Sequence, residues 1–445
     1  MENNKQELNI VILGGGFGGL YAAQTLRRAP VQVTLVDRRN FHLFQPLLYQ
    51  VATGWLSPAD IASPLRAVLK RQRNTQVLLA EAIDINVVNR QVVLTDGSLS
   101  YDILIVATGA RPHYFGHEQW ADAAPGLKTI EDATAIRRRI LFAFEAAERA
   151  SDPEQVRAWL TFVIVGGGPT GLELAGTLGE LARDTLKHDF RHIDPAAARI
   201  FVVEGAERLL PSYPPQLSAK AAEFLTGLGV QVRAGAIVTD IQPASVTIRS
   251  GEHRKTIPTH TVLWAAGVQA SPLGRILATA TGAELDRAGR VIVEPDLSLP
   301  GHSEIFVLGD LAHCRNLQGQ PLPGVAPVAM QQGQYVAQLL QRRLQGQSLP
   351  PFRYKDRGNM AIIGRAQAVA DFGWVQFSGL FAWLAWLFVH LINLVEFENR
   401  LLVAIQWAWN YLTRNRSARL ITGEHEPPLA LTRSVSHSVP VEKRD

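Results

Sequence analysis

An apolar run, Asn9-Ile10-Val11-Ile12-Leu13, passes directly into Gly14-Gly15-Gly16-Phe17-Gly18-Gly19 and then into an Ala- and Leu-rich stretch. Few folds accept a buried strand, a glycine turn and a helix in that order. Gly14 permits the tight turn, Gly16 lets a pyrophosphate approach the backbone, and Gly19 lets the helix pack close to the strand. The helix N-terminus, carrying Phe17 and Gly18, then offers free N–H groups and partial positive charge to phosphate. The next strand, Val33-Thr34-Leu35-Val36-Asp37, ends in an acid placed to bind a ribose hydroxyl.

The pattern returns at Thr161-Phe162-Val163-Ile164-Val165, followed by Gly166-Gly167-Gly168-Pro169-Thr170-Gly171. Here the closing strand is residues 199–204, ending in Glu204, and the longer spacing is taken up by residues 183–198 as a helix extension or loop. Two cradles in one chain are most simply explained by one for FAD and one for a nicotinamide nucleotide. Glu204 favours NADH over NADPH, because a carboxylate accepts the ribose 2′-OH and repels a 2′-phosphate. Arg208, close by, is the residue that argues the other way.

Chain order then sets the expected architecture. Tyr101-Asp102-Ile103-Leu104-Ile105-Val106 is a buried strand ending in Ala107-Thr108-Gly109, and residues 261–264 end in Ala265-Ala266-Gly267, its counterpart in the second half. The reading is an α/β fold of two Rossmann-like dinucleotide-binding domains, glutathione-reductase-like, with the NAD domain inserted in the FAD domain. Residues 1–115 and 286–375 form the FAD-binding domain and 116–285 the NADH-binding domain. The aromatic and apolar loop 41–54 and the short strand ending at Ala82 fall on the flavin side. Residues 304–310 end in Gly309-Asp310, where a carboxylate meets the ribityl or phosphate region. Ala326 opens a helix to about Leu344 whose N-terminus points at the isoalloxazine.

A single cysteine, Cys314, excludes any dithiol redox centre and reads as a buried, inert thiol. The electron acceptor is therefore something other than a disulfide. The 44 Lys and Arg against 40 Asp and Glu, net +4, are dispersed without a basic stripe, which excludes nucleic acid as a partner. No metal site is expected. The polar N-terminus has no apolar signal core, so the protein is read as cytoplasmic in origin.

Residues 372–395 contain no Asp, Glu, Lys or Arg. On a helix, Ser378, Ala382, Ala385, Val389, Asn393 and Glu396 share one stripe, with Leu380, Leu384, Leu387, Phe388, Leu391 and Val395 opposite. Next, Asn399, Gln406, Asn410 and Thr413 share a face against Leu401, Leu402, Ile405, Trp409 and Leu412. Two such sided helices, 376–413, suit a surface that is half protein and half lipid, with Trp383, Trp386, Trp407, Trp409 and Tyr411 at the headgroup level. Half-burying about six large apolar side chains yields roughly 5 to 9 kcal/mol, enough for monotopic attachment. Residues 414–445 read as a polar, disordered tail.

With these elements in order, the chain resembles the type II NADH dehydrogenases, single-subunit NADH:quinone oxidoreductases of respiratory membranes. The resemblance runs over about residues 8–415 and is most specific at 42–54, 166–176, 264–268, 309–313, 330–333 and the Trp-rich C-terminal segment. It implies non-covalent FAD, NADH as co-substrate, a membrane quinone as acceptor, no proton pumping, and a homodimer held peripherally on the cytoplasmic face of the cell membrane. It assigns Gly14, Gly16, Gly19, Asp37, Thr108, Gly109 and Asp310 to FAD, with Phe17, Gly18 and Ala82 beside them. Gly166, Gly168, Pro169, Thr170, Gly171, Glu204 and Gly267 fall to NADH. Gln331 and Gln332 would border flavin and quinone, and Glu173 would stand beside the nicotinamide and relay protons. At Glu398 the chain departs from relatives that tend to carry a basic residue there. The rival readings are a soluble NADH:ferredoxin or rubredoxin reductase, which would not require residues 377–412, and a non-enzymatic flavin-binding redox sensor.

Overall fold

The computed structural model describes residues 7–423. Its two glycine turns each sit at the end of a central strand of a parallel sheet. In the first sheet the spatial order is Ser298–Leu299, His302–Val307, Ile103–Val106, Leu8–Leu13, Val31–Asp37, Thr75–Leu79, parallel throughout except for the hairpin of the first two strands. The second sheet runs Val230–Ala234, Arg199–Glu204, Thr161–Val165, Thr261–Trp264, all parallel. Strands covered on both faces read as unbroken apolar runs, and every residue of Thr161–Val165 is buried.

Ile103–Val106 and His302–Val307 are neighbours in the first sheet, yet the whole second sheet lies between them in sequence. The nicotinamide-type unit is thus inserted into the flavin-type unit. The chain crosses between them twice, and the crossings pair: Ala110–Pro112 runs antiparallel to Val268–Ala270. Each begins at a glycine in the left-handed region, Gly109 at φ +67° and Gly267 at φ +70°, where a side chain would be strained.

The connection from helix Pro169–Glu180 to strand Arg199–Glu204 is a helix extension followed by a loop, as the spacing suggested: one π-helical turn, Leu181–Thr185, then a short helical turn, Pro195–Ala197. After helix Ala326–Leu344, strands Asn359–Gly364, Gln367–Asp371 and Gln376–Ser378 form a small antiparallel sheet, followed by helices Leu380–Asn393 and Phe397–Thr413. This sheet packs on helix Pro169–Glu180 so tightly that a Cβ on Gly176 would lie 1.5 Å from the carbonyl oxygen of Ile363.

The last helix is sided in the sense opposite to a surface helix of a water-soluble protein. Its polar residues face the protein: Asn399 donates to Ser63 Oγ (3.2 Å), Gln406 to Asp60 Oδ1 (3.3 Å) and Asn410 to the Trp55 carbonyl (3.3 Å). Leu401, Leu402, Ile405, Trp409 and Leu412 are exposed. On the preceding helix Leu380, Leu384 and Phe388 face outward as expected, joined by Phe381 and Ile392. Leu387 and Leu391 instead pack partly against the core.

Two expectations are corrected. Trp386 and Trp407 are not at the surface. Both are buried, Trp386 against Tyr49 and Trp407 with its indole N–H donated to Gln50 Oε1 (2.8 Å). The start of the expected disordered tail is also ordered: residues 414–423 run back over the protein, with Arg416 buried and Arg419 paired with Asp189. Guanidinium groups that find carboxylates and carbonyls anchor a segment whose composition is polar. Residues 424–445 lie outside the described residues.

Candidate functional site

One cleft of about 1250 Å³ joins the first glycine turn and the start of helix Pro169–Glu180 to helix Leu380–Asn393. Its walls include Gly14, Gly16, Phe17, Gly18 and Asp37 from the first turn, with Ala82, Thr108, Gly109, Asp310 and Gln331. From the second unit come Pro169, Thr170 and Glu173, and from the C-terminal helix Phe388, His390 and Ile392. Loop residues Phe41, Leu43, Phe44 and Tyr49 line it as well.

The first turn is built as its sequence implies. Gly14 sits at φ +101° with the place of a Cβ only 2.5 Å from the Ala107 carbonyl oxygen, and a Cβ on Gly19 would fall 1.9 Å from the Gly14 carbonyl oxygen. A Cβ on Gly16, by contrast, would meet nothing within 4 Å. Helix Phe17–Thr25 starts there without a side-chain cap, so its first N–H groups are left for a ligand. Asp37 closes the second strand, accepting from Gly15 N–H (2.6 Å) and Arg39 N–H (2.7 Å). Burial pushes its carboxyl up, and those two N–H donors and the nearby arginines pull it back. Thr108 Oγ1 is sealed from solvent with no partner among the described residues. An open glycine, an uncapped helix, a strand-end carboxylate and an orphaned hydroxyl around one cleft fit a dinucleotide of the FAD type.

The second turn repeats the geometry. Gly166 has φ +112°, a Cβ on Gly171 would lie 1.9 Å from the Gly166 carbonyl oxygen, and Gly168 faces open space. Glu204 accepts from Gly167 N–H (2.5 Å) and Ala206 N–H (2.7 Å), matching Asp37 bond for bond. Arg208 does not compete for a 2′-phosphate, because its guanidinium is spent on the carbonyls of Tyr213 (2.7 Å) and Pro211 (2.7 Å). Gly166, Gly168, Gly171 and Glu204 do not line the large cleft, which meets only the first turns of this helix. Gly267 is turned elsewhere: a Cβ there would strike the Phe115 ring at 2.6 Å.

Glu173 is buried, and desolvation holds its carboxyl well above the usual range despite a hydrogen bond from Ile362 N–H. A carboxyl held above its ordinary range is a candidate proton source in the cleft wall. The two glutamines separate. Gln331 lines the cleft and pairs through both amide atoms with the backbone of Lys355, at 3.0 Å each way. Gln332 is not among the lining residues; buried, its Oε1 accepts from Gly309 N–H (2.7 Å), so it holds the turn that presents Asp310. Cys314 is buried, its thiol pushed up to about 11 by desolvation, which leaves it unreactive.

Lys128 and His390 are among the lining residues that escaped the sequence reading. Lys128 reaches Asp310 across the cleft at 3.7 Å, and no local spacing signals that. His390 carried a signal: it is the one titratable side chain in residues 372–395.

Comparison with known proteins gives the family and the fold. The profile of the pyridine nucleotide-disulphide oxidoreductases matches residues 8–333, and that of the NDH2 C-terminal domain matches 357–415. A type II NADH:quinone oxidoreductase of Mycobacterium tuberculosis is 46% identical over 423 residues, covering 93% of this chain and 90% of that protein. A demethylphylloquinone reductase of Synechocystis is 32% identical, covering 89% of this chain and 95% of its own. In fold, the chain is similar to NDH2 from Plasmodium falciparum in complex with NADH, with TM-score 0.85, 22% identity, and 93% of this chain and 100% of that one covered.

Proposed function

The chain belongs to the type II NADH:quinone oxidoreductases, within the pyridine nucleotide-disulphide oxidoreductases, and on that premise we propose how its own residues carry the reaction. The protein is a flavoprotein oxidoreductase: NADH, a proton and quinone give NAD⁺ and hydroquinone. FAD, when bound, supplies the two-electron acceptor and donor between the two substrates.

In this reading Gly14, Gly16 and Gly19, with Phe17 and Gly18, cradle the FAD pyrophosphate, and Asp37 takes its ribose. Ala82, Thr108, Gly109 and Asp310 complete that site, and Gln332 positions Asp310 through Gly309. Gly166, Gly168, Pro169, Thr170 and Gly171 hold NADH, Glu204 selects its ribose hydroxyl, and Gly267 shapes the crossing beside it. Glu173 keeps a proton available in the wall. Gln331 ties helix Ala326–Leu344 to the 355 loop and borders the quinone. Quinone enters from the side of Phe388 and Ile392, where the cleft wall and the outward apolar surface are parts of one helix. That continuity of cleft and apolar surface is the observation that carries the proposal.

The outward faces of the two C-terminal helices seat the protein peripherally on the cytoplasmic face of the membrane. Among the described residues no helix is long and apolar enough to cross one. In this reading residues 376–413 form the attaching unit, and the small sheet beginning at Asn359 supports it by packing on helix Leu380–Asn393. The homodimer implied by the resemblance belongs to the same proposal. Anaerobic titration with NADH and then with quinone tests it: the flavin band should bleach with about one equivalent of NADH and return with about one of quinone. A band that bleaches and does not return on quinone refutes the acceptor.

A further inference from the structure

We propose that His390 is the hydrogen-bond acceptor for a hydroxyl of the reduced quinone, so that the cleft binds hydroquinone in preference to quinone; this rests on the quinone-reductase reading above. His390 lies on helix Leu380–Asn393 and lines the cleft. Its ring is held in place by stacking on Trp386 (centroids 4.0 Å, 23°) and by an edge contact with Phe44 (6.3 Å, 84°).

Nδ1 lies 2.7 Å from the Trp386 carbonyl oxygen. A carbonyl only accepts, so Nδ1 carries the hydrogen and Nε2 presents a lone pair. Burial keeps the ring neutral by lowering its pKa to about 4. Among the described residues Nε2 has no partner, and it is not sealed away as His42 Nε2 is, while His390 lines the cleft. The neighbouring Asn393 amide is committed, donating to the Val389 carbonyl (2.7 Å).

The chemistry separates the two redox states of the substrate. A quinone offers carbonyl oxygens, which cannot bond to a lone pair. A hydroquinone, carrying the two electrons and two protons, offers O–H donors. His390 therefore rewards the product and not the substrate, and a neutral hydrogen bond of this kind is worth about 3- to 10-fold in affinity.

The test is anaerobic equilibrium binding of duroquinol and of duroquinone to the FAD-loaded enzyme and to His390→Phe, His390→Asn and His390→Gln. Phe keeps the ring packing without an acceptor. Asn reproduces only the Nδ1 side, and Gln extends a carbonyl oxygen to the place of Nε2. Duroquinol affinity should fall about 3- to 10-fold in His390→Phe and His390→Asn and return to within about 2-fold in His390→Gln, while duroquinone affinity shifts less than about 2-fold throughout. Equal weakening for both redox states, or unchanged quinol binding in His390→Phe, overturns the proposal. Should His390→Phe fail to retain FAD, the Asn and Gln pair decides alone, equal quinol affinity in the two counting against it. A wild-type enzyme that NADH reduces but that passes nothing to duroquinone would instead sink the quinone-reductase reading, and this inference with it.

Discussion

Arg416 meets Glu180 at 3.2 Å with both side chains almost wholly withdrawn from water, 2% and 9% exposed. Arg416 lies just past the last helix, and Glu180 ends the helix that carries Glu173. The guanidinium also donates to the carbonyls of Thr177 (2.9 Å) and Thr53 (3.2 Å) and covers the Trp55 ring at 4.7 Å. Glu180 in turn accepts from Arg365 N–H (2.5 Å). This pair closes the C-terminal unit onto the second cradle.

Arg416→Leu leaves Glu180 as a buried charge without its partner and should cost about 3 to 5 kcal/mol. Adding Glu180→Gln removes the stranded charge and keeps an acceptor for Arg365 N–H, so the double variant should recover at least half of that. Chemical denaturation of the three proteins measures it. A double variant no more stable than Arg416→Leu would show that lost packing on Trp55, and not the ion pair, is what matters.

Gly14 and Gly16 should fail in different ways. Gly14→Ala places a methyl against the Ala107 carbonyl oxygen at a φ that L-residues avoid, so the fold itself is strained by about 1 to 3 kcal/mol. Gly16 has φ −69° and open space at its Cβ. Gly16→Ala should therefore unfold as wild type does in the absence of cofactor and yet purify with much less FAD. Equal flavin content in Gly16→Ala and wild type would remove that glycine from the pyrophosphate site.

Glu204→Gln should relax the choice between NADH and NADPH. The wild-type carboxylate repels a 2′-phosphate, and Arg208 is already committed to carbonyls and cannot compensate. The ratio of kcat/KM for NADH over NADPH should fall by about 10-fold or more, the equivalent of roughly 1.4 kcal/mol. Steady-state kinetics with both nucleotides checks this, and an unchanged ratio rejects the assignment.

Glu173 makes stability depend on pH in a stated direction. Its folded pKa stands well above the ordinary 4.5, so between the two values the native protein holds a proton that the unfolded chain has released. Stability then falls as pH rises through that window, with a slope of up to about 1.4 kcal/mol per pH unit. Gln does not titrate, so Glu173→Gln should gain on wild type as pH rises above the ordinary carboxylate range, read as a growing difference in Tm. The same variant should lose about 100-fold in quinone turnover where Glu173 delivers a proton. A Tm difference independent of pH would mean that the carboxyl ionises normally.

The fold was legible wherever one local pattern fixes one local geometry. Gly14 with Asp37, and Gly166 with Glu204, each encode a strand, a turn and an acid within a short span, and the structure builds both alike. Residues whose role depends on distant partners were not legible. Gln331 and Gln332 are adjacent in sequence, and only the packing of their helix decides that one faces the cleft and the other Gly309. Arg416 sits in a polar tail whose composition says nothing of the buried Glu180 that receives it. Trp386 and Trp407 were misread because aromatic enrichment marks a membrane interface and a protein core equally well; burial against Tyr49 and the bond to Gln50 decide between them.

The outward face of the last helix gives the final prediction. Trp409 is 63% exposed and Leu412 78%, although the polar Asn399, Gln406 and Asn410 of the same helix are turned inward and hydrogen-bonded. That inversion costs free energy in water, and a lipid surface outside, as proposed above, recovers it. Removing two large side chains from half-burial in lipid should weaken attachment by about 1.5 to 3 kcal/mol, roughly 10- to 150-fold in partitioning. Trp409→Ser with Leu412→Ser touches neither the cleft nor the inward bonds, so FAD content and NADH oxidation with a soluble acceptor should stay within about 2-fold of wild type. Cosedimentation with phosphatidylglycerol/phosphatidylethanolamine vesicles measures the loss. If the double variant pellets as wild type does, the apolar face is covered by a second protein copy and not by lipid, and sedimentation of the detergent-free protein would then show the larger species.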